Sequence, residues 1–323
     1  MNKRDAVFAL AALGAAPLTA IGQQPGKVWR IGVLRPRPIP ELDEAFRRGL
    51  RERGYEQGRN IVIEYRWSDG DEKLFPALAA ELVRLKVDLI VAGGHNAILA
   101  AQAATSTVPI VMMMGNDPVR MGYAKSFARP GGNVTGMSAM GEDFDGKWLE
   151  LLKAGLPAVR HIAVLSRPGG PNAELRANVI RDAAQKLDLK LLRLEAQRAE
   201  DFEDAFAAMK TARVGALLVV GDAGFTAERR RLVELATRNR LPAMYDNKVF
   251  TEGGGLLSYG PDFADLFRRT AGHVDKLFKG AKAAELPIEQ PVKIDLIVNL
   301  KTAKVLGITF PPTFLLRADR VIE

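Results

Sequence analysis

The 323-residue sequence has no cysteine. This excludes disulfides, thiolate metal sites, a cysteine nucleophile and the lipidated cysteine that anchors many exported bacterial proteins. Histidine is scarce, and His95, His161 and His273 show no metal-ligand spacing; His161 directly precedes an apolar strand pattern, which suits a structural role. No apolar run reaches the roughly 20 residues that a membrane-spanning helix needs. The first strand pattern is not followed by G-x-G-x-x-G, and no Walker-type phosphate loop occurs. Gly136-Met137-Ser138-Ala139-Met140 misses the nucleophile-elbow pattern at its last position. With no nucleophile–base pair legible, neither catalysis nor a cofactor or metal is expected.

What is present is an ordinary globular composition, 47% hydrophobic and 26% charged, in a chain long enough for two medium α/β lobes. The formal charge is +8, but the basic residues are spread over helix faces and interleaved with acids, as in Arg47-Arg48-Gly49-Leu50-Arg51-Glu52-Arg53. Arg229-Arg230-Arg231 is the one run, read as a solvated helix face, so no nucleic-acid partner is expected. The start reads as a secretory leader: Lys3-Arg4, an Ala-rich apolar stretch from Ala6 to Ala20, and small residues Ala20 and Gly22. Residues 1–22 are therefore set aside as a signal peptide. The remainder is expected to be periplasmic, monomeric, not membrane-embedded and not lipid-anchored.

Short β-branched runs bounded by Gly, Pro, Asn or Asp alternate with helical patterns, which is how parallel sheets with crossover helices read. Strands are predicted at 30–34, 61–67, 89–92, 110–114, 162–165, 190–194, 216–220 and 243–245. The second series repeats the first at nearly constant spacing: Ile31-Gly32-Val33-Leu34 recurs as Ile162-Ala163-Val164-Leu165, and Pro109 is answered by Pro242. The expected architecture is two similar doubly wound parallel-sheet lobes joined by three crossing segments. The crossings are read at Gly131–Ser138, Gly255–Tyr259 and Val292–Val298. Between the last two, Phe263, Leu266, Phe267, Val274, Leu277 and Phe278 mark one face of a long helix. The lobes are expected to comprise residues 28–136 with 260–291, and 137–259 with 292–323.

In open parallel sheets, ligands bind beyond the carboxyl ends of the strands, where helix N-termini converge. In the first lobe those loops carry Arg35, the Gly93-Gly94-His95-Asn96 turn, and Asn116 with Asp117. The glycine turn ends a strand and opens a helix, which suits a carboxylate or phosphate, although Asn96 is equally readable as a plain cap. In the second lobe the loops carry Asn172, Asp222 with Phe225, and Tyr245 with Asp246. Asp117, Asp222 and Asp246 each follow an apolar strand and suit an ammonium or hydroxyl, or a turn. Phe225, Tyr245 and Tyr259 suit stacking on the ligand, or core packing.

The chain resembles the periplasmic substrate-binding proteins of ABC transporters of the tryptophan/tyrosine-binding type. The resemblance is carried by Ile31-Gly32-Val33-Leu34, Gly54-Tyr55 with Gly58-Arg59-Asn60-Ile61, and Val87-Asp88-Leu89-Ile90-Val91. It continues in Asp117-Pro118-Val119, Arg129-Pro130-Gly131-Gly132-Asn133-Val134-Thr135-Gly136, Val298-Asn299-Leu300-Lys301-Thr302-Ala303-Lys304 and Leu306-Gly307-Ile308. It implies a type I periplasmic binding fold that closes on a small ligand, an amino acid or other small carboxylate, and presents it to an ABC permease with a separate ATPase subunit. It also implies that His95 and Asn96 form a carboxylate-binding turn and that Asp117, Asp222 and Asp246 are candidates for the amino group. Arg35-Pro36-Arg37-Pro38 departs from the family's uncharged loop and would suit an anionic ligand. A ligand-sensing domain acting on a receptor or regulator is the alternative that the same fold allows.

Overall fold

The structure is a computed structural model that describes residues 27–115, 117–139, 144–169 and 173–323. The expected leader and the site candidates Asn116 and Asn172 lie outside the described residues. In the first half, β1 (Trp29–Arg35), α1 (Pro40–Arg51), β2 (Ile61–Trp67), α2 (Phe75–Arg84), β3 (Leu89–Gly93), α3 (His95–Ala104), β4 (Ile110–Gly115) and β5 (Val134–Ser138) follow one another. Their strands form a parallel sheet in the order β2-β1-β3-β4-β5. Every residue of β3 is buried, as the central strand of a sheet covered on both faces must be.

The second half begins with α4 (Asp145–Gly155), β6 (His161–Ser166), α5 (Ala173–Lys186), β7 (Lys190–Glu195), α6 (Phe202–Thr211), β8 (Ala216–Val219) and α7 (Ala223–Ala227). It continues through α8 (Arg229–Arg238), β9 (Ala243–Tyr245), α9 (Lys248–Glu252), β10 (Leu257–Pro261) and α10 (Phe263–Phe278). The chain ends with β11 (Ile294–Asn299), α11 (Leu300–Leu306), α12 (Pro312–Leu315) and β12 (Arg320–Ile322). The second sheet runs β12-β11-β10-β9-β8-β6-β7. Its β7-β6-β8-β9-β10 portion repeats the order of the first sheet, with β6 in the place of β1, as the internal repeat predicts. The departure from a purely parallel lobe is β11, which pairs antiparallel with β10.

The three stretches read as crossings are themselves strands, β5, β10 and β11, so the passages between sheets lie at their ends. Two passages are laced together: the Glu289 N–H donates to the Gly136 carbonyl and the Ser138 N–H donates to the Glu289 carbonyl, both at 2.9 Å. Helix α10 follows a strand of the second sheet but packs on α1 and against β4 and β5 of the first. Its predicted apolar face is buried there. Gly49 permits the close approach, since a Cβ at that position would lie 2.2 Å from the Arg268 carbonyl oxygen. Among the described residues, no helix is long and apolar enough to cross a membrane.

Candidate functional site

The carboxyl ends of the strands of both sheets face one another across a cleft of about 210 Å³. On the first wall, Gly93 and Gly94 let β3 turn directly into α3. A Cβ on Gly93 would meet the Arg35 Cγ at 2.8 Å, and Gly94 has a φ of 94°, in the region that only glycine occupies readily. The turn sets His95 and Asn96 at the positive end of α3, facing the cleft. The His95 Nδ1 is hydrogen-bonded to the Tyr123 hydroxyl, and burial holds the imidazole below its ordinary pKa, so it is neutral near pH 7. The Asn96 side-chain amide donates to the Glu72 carboxylate at 2.5 Å.

The second wall is built on loops after β6, β8 and β9. Arg167, which is 9% exposed, reaches across to the first wall: its guanidinium donates to the Gly70 carbonyl at 3.2 Å and lies 3.6 Å from the Glu72 carboxylate. It also lies 3.5 Å from Asp222, while its buried Nε has no hydrogen-bond partner. Asp222 accepts from the Gly224 and Phe225 N–H groups at 2.7 and 3.3 Å, capping α7. Asp246 sits directly over Gly221, where a Cβ would lie 2.5 Å from its Oδ2. Desolvation by burial pushes the Asp246 carboxyl up to about 7, with Arg176 and the 2.7 Å hydrogen bond from Asn247 acting in the opposite direction.

Arg176 ties the remaining parts together. From α5 it donates to both oxygens of the fully buried Asp145 on α4, at 2.7 to 3.2 Å, and to the Gly221 carbonyl at 3.2 Å. Its guanidinium lies 5.8 Å from the centre of the Trp148 ring. Trp148 donates from Nε1 to the Tyr259 carbonyl at 2.6 Å, and Phe144 meets the Tyr259 ring edge-on at 5.7 Å. Phe144 and Trp148 thus give the cleft an aromatic wall beside charged groups.

Of the residues singled out in the sequence, the cleft brings together His95, Asn96, Asp222 and Asp246. The others are placed elsewhere. Arg35 is buried behind the first wall, ion-paired with Asp43 and 4.8 Å from the Phe267 ring centre, so its charge is committed within the lobe. Arg37 is paired with Glu228. Asp117 accepts from the Val119 and Arg120 N–H groups, a turn-capping role. Phe225 packs edge-on against Phe202 in the core, and Tyr245 is fully buried against Phe250 with ring centres 4.4 Å apart. Tyr259 stands behind Phe144 and supports it. Arg167 lies in a strand-end loop where the sequence directs attention, and its charge was the available signal. Glu72, Phe144, Trp148 and Arg176 sit on helical stretches where core and cleft positions share one pattern.

The chain spans nearly the full length of proteins similar to it. A tyrosine-binding protein of Clostridioides difficile is 26% identical over 310 residues, covering 91% of this chain and 89% of that protein. The structure of an ABC domain from Streptococcus pneumonia in complex with L-Trp superposes with a TM-score of 0.81 at 28% identity, covering 91% of this chain and 99% of the other. A conserved domain protein from Vibrio cholerae gives 0.83 at 27% identity, covering 91% and 100%. A ligand-free, open substrate-binding protein from Clostridium difficile gives 0.62 at 25% identity, covering 91% and 99%. The likeness confirms the type I periplasmic binding architecture expected from the sequence. The family model for ABC transporter substrate-binding proteins matches residues 39–322, and the chain belongs to that family of extracytoplasmic proteins that present small molecules to ABC permeases.

Proposed function

We propose that this chain captures an amino acid with an aromatic side chain between its lobes and hands it to an ABC permease driven by a separate ATPase subunit. The observation that carries this reading is one cleft that holds three complementary features. Asp222 and Asp246 lie together for an ammonium; the start of α3 and Arg167 offer donors to a carboxylate; Phe144 and Trp148 offer ring faces. Similarity to a tyrosine-binding protein and to an L-Trp complex supports the same ligand class. His95 and Asn96 serve the carboxylate, the first through its backbone N–H at the helix start.

Binding couples to closure because the ligand touches both walls and so favours the state in which they meet. The lobes divide close to residues 136, 260 and 291. In this reading residues 1–22 are removed on export to the periplasm, and the mature protein is a free monomer with no catalytic step, cofactor or nucleic-acid partner.

The test is isothermal titration of the purified mature chain with L-tyrosine and L-tryptophan, alongside mass spectrometry of any compound released on denaturation. One aromatic amino acid bound per chain, with a raised melting temperature, is the expected result. Steady conversion of the bound compound, or no response to any amino acid, would overturn the proposal.

A further inference from the structure

The cleft does not end at the aromatic wall. It continues beneath α5, along the face of the second sheet that carries Val164, Leu191, Arg193 and Val220. Strand register places these side chains together: Val164 pairs with Arg193 and Ile162 with Leu191, so the alternate residues of β6 and β7 share one face. The roof is Ala173, Ala177 and Ile180, one stripe of α5. Only Ile180 and Ala184 of this 14-residue helix are buried, while Ala173 and Ala177 are half-buried, so its first turn stands off the sheet instead of packing on it. From Ala173 to Ile180 the roof extends about 10 Å at the rise of an α-helix.

Chemistry changes along this extension. Beside the cleft it has Trp148 and Arg176; deeper in, Val164, Ile180 and Leu191 make it apolar; along its flank on the edge strand, Arg193 and Glu195 are exposed and open it to solvent. An amino acid whose α-groups are held by the loops at the strand ends would direct its side chain into this space.

Resting on the amino-acid reading above, we infer that the preferred ligand is an aromatic amino acid carrying a further bulky substituent on its ring. The substituent lies under α5 with its far end toward Leu191, and the polar opening at Arg193 and Glu195 runs along its flank. The apolar length accommodates a second ring or a short alkyl chain, and the opening tolerates a polar end.

The experiment compares L-tyrosine with O-benzyl-L-tyrosine by calorimetry, on the native protein and on Leu191→Trp, which fills the deep end from an edge strand. The expected result is that O-benzyl-L-tyrosine binds the native chain at least about tenfold tighter than L-tyrosine, through added apolar burial. In L191W the ratio of the two affinities should fall by at least about tenfold, with a thermal unfolding transition showing that the variant is folded. Binding of L-tyrosine with no gain from the benzyl group, or an unchanged ratio in L191W, would overturn the inference and leave the amino-acid reading standing. Binding of neither compound to the native chain would remove both. If L191W is not folded, Ala177→Phe fills the same space from the roof and is read by the same ratio.

Discussion

Arg229 donates to both carboxylate oxygens of Glu41 at 2.8 Å, although 188 positions separate them in the chain. Glu41 lies in the first turn of α1 on the first lobe and Arg229 begins α8 on the second, so this pair bridges the gap between the lobes. Arg37 with Glu228, and Arg167 with Glu72 and Gly70, cross the same gap.

These contacts make closure sensitive to charge. Glu41 is half exposed, and such a pair contributes about 0.2–1 kcal/mol. Arg229→Ala should therefore weaken aromatic amino-acid binding by up to about fivefold, and 0.5 M salt should act on the native protein in the same direction. Small-angle scattering of the ligand-free variant should show a larger radius of gyration. Identical scattering curves for variant and native protein would mean that the pair does not hold the lobes together.

Trp148 is the reporter that the cleft supplies. The other tryptophans are not part of its lining: Trp29 stacks on Phe278 at 4.2 Å, and Trp67 on Tyr65 at 5.3 Å. Ligand binding should change tryptophan emission, and Trp148→Phe should abolish that change. The variant also loses the hydrogen bond to the Tyr259 carbonyl, at a cost of about 1–2 kcal/mol in stability, to be read by urea unfolding. Emission that still responds to ligand in the variant would place the responsive ring elsewhere.

Much of the fold is legible because its signals are local and periodic. Ile31 to Leu34 and Ile162 to Leu165 are apolar and bounded by turn residues, and the α10 stripe from Phe263 to Phe278 has unmistakable helical spacing. The site is half legible. Gly94, with its left-handed backbone, announces the turn that positions His95 and Asn96. Asp246 follows its strand as the topology demands. Tyr245 ends that strand, yet its side chain turns to the core, because successive residues at a strand end point to opposite faces and sequence does not say which face is the cleft. Trp148 and Arg176 escape notice for a different reason. Each acts through partners distant in the chain, Tyr259 and Asp145 respectively.

Gly136 marks a place where glycine is required. Its φ is 122°, and a Cβ would lie 2.3 Å from the Met112 carbonyl oxygen, in the strand laced to Glu289 at the passage between lobes. Gly136→Ala should cost about 2–4 kcal/mol in urea unfolding. Gly132→Ala, where a Cβ meets nothing within 4 Å, should stay within about 0.5 kcal/mol. Equal midpoints for the two variants would show that the passage relaxes without cost.

Asp246 should couple ligand binding to pH. Its carboxyl titrates at about 7 in the folded chain against an ordinary 3.8, so between those values the folded protein holds a proton that the unfolded chain has released. Stability should accordingly fall as pH rises from about 4 to 7 and level off above, by an amount of the order of 4 kcal/mol. Asp246→Asn should remove this slope and be the more stable protein at pH 8. An arriving ammonium reverses the preference, because it stabilises the carboxylate that burial disfavours. L-Tyrosine should therefore bind more weakly as pH drops below about 7, by up to tenfold per unit, since the Asp246 proton must first leave. The ligand's own ammonium and carboxylate stay charged between about pH 5 and 8, so the dependence belongs to the protein, and D246N should bind weakly with a flat profile. Affinity of the native chain that does not change across this range would show that the ammonium is held elsewhere.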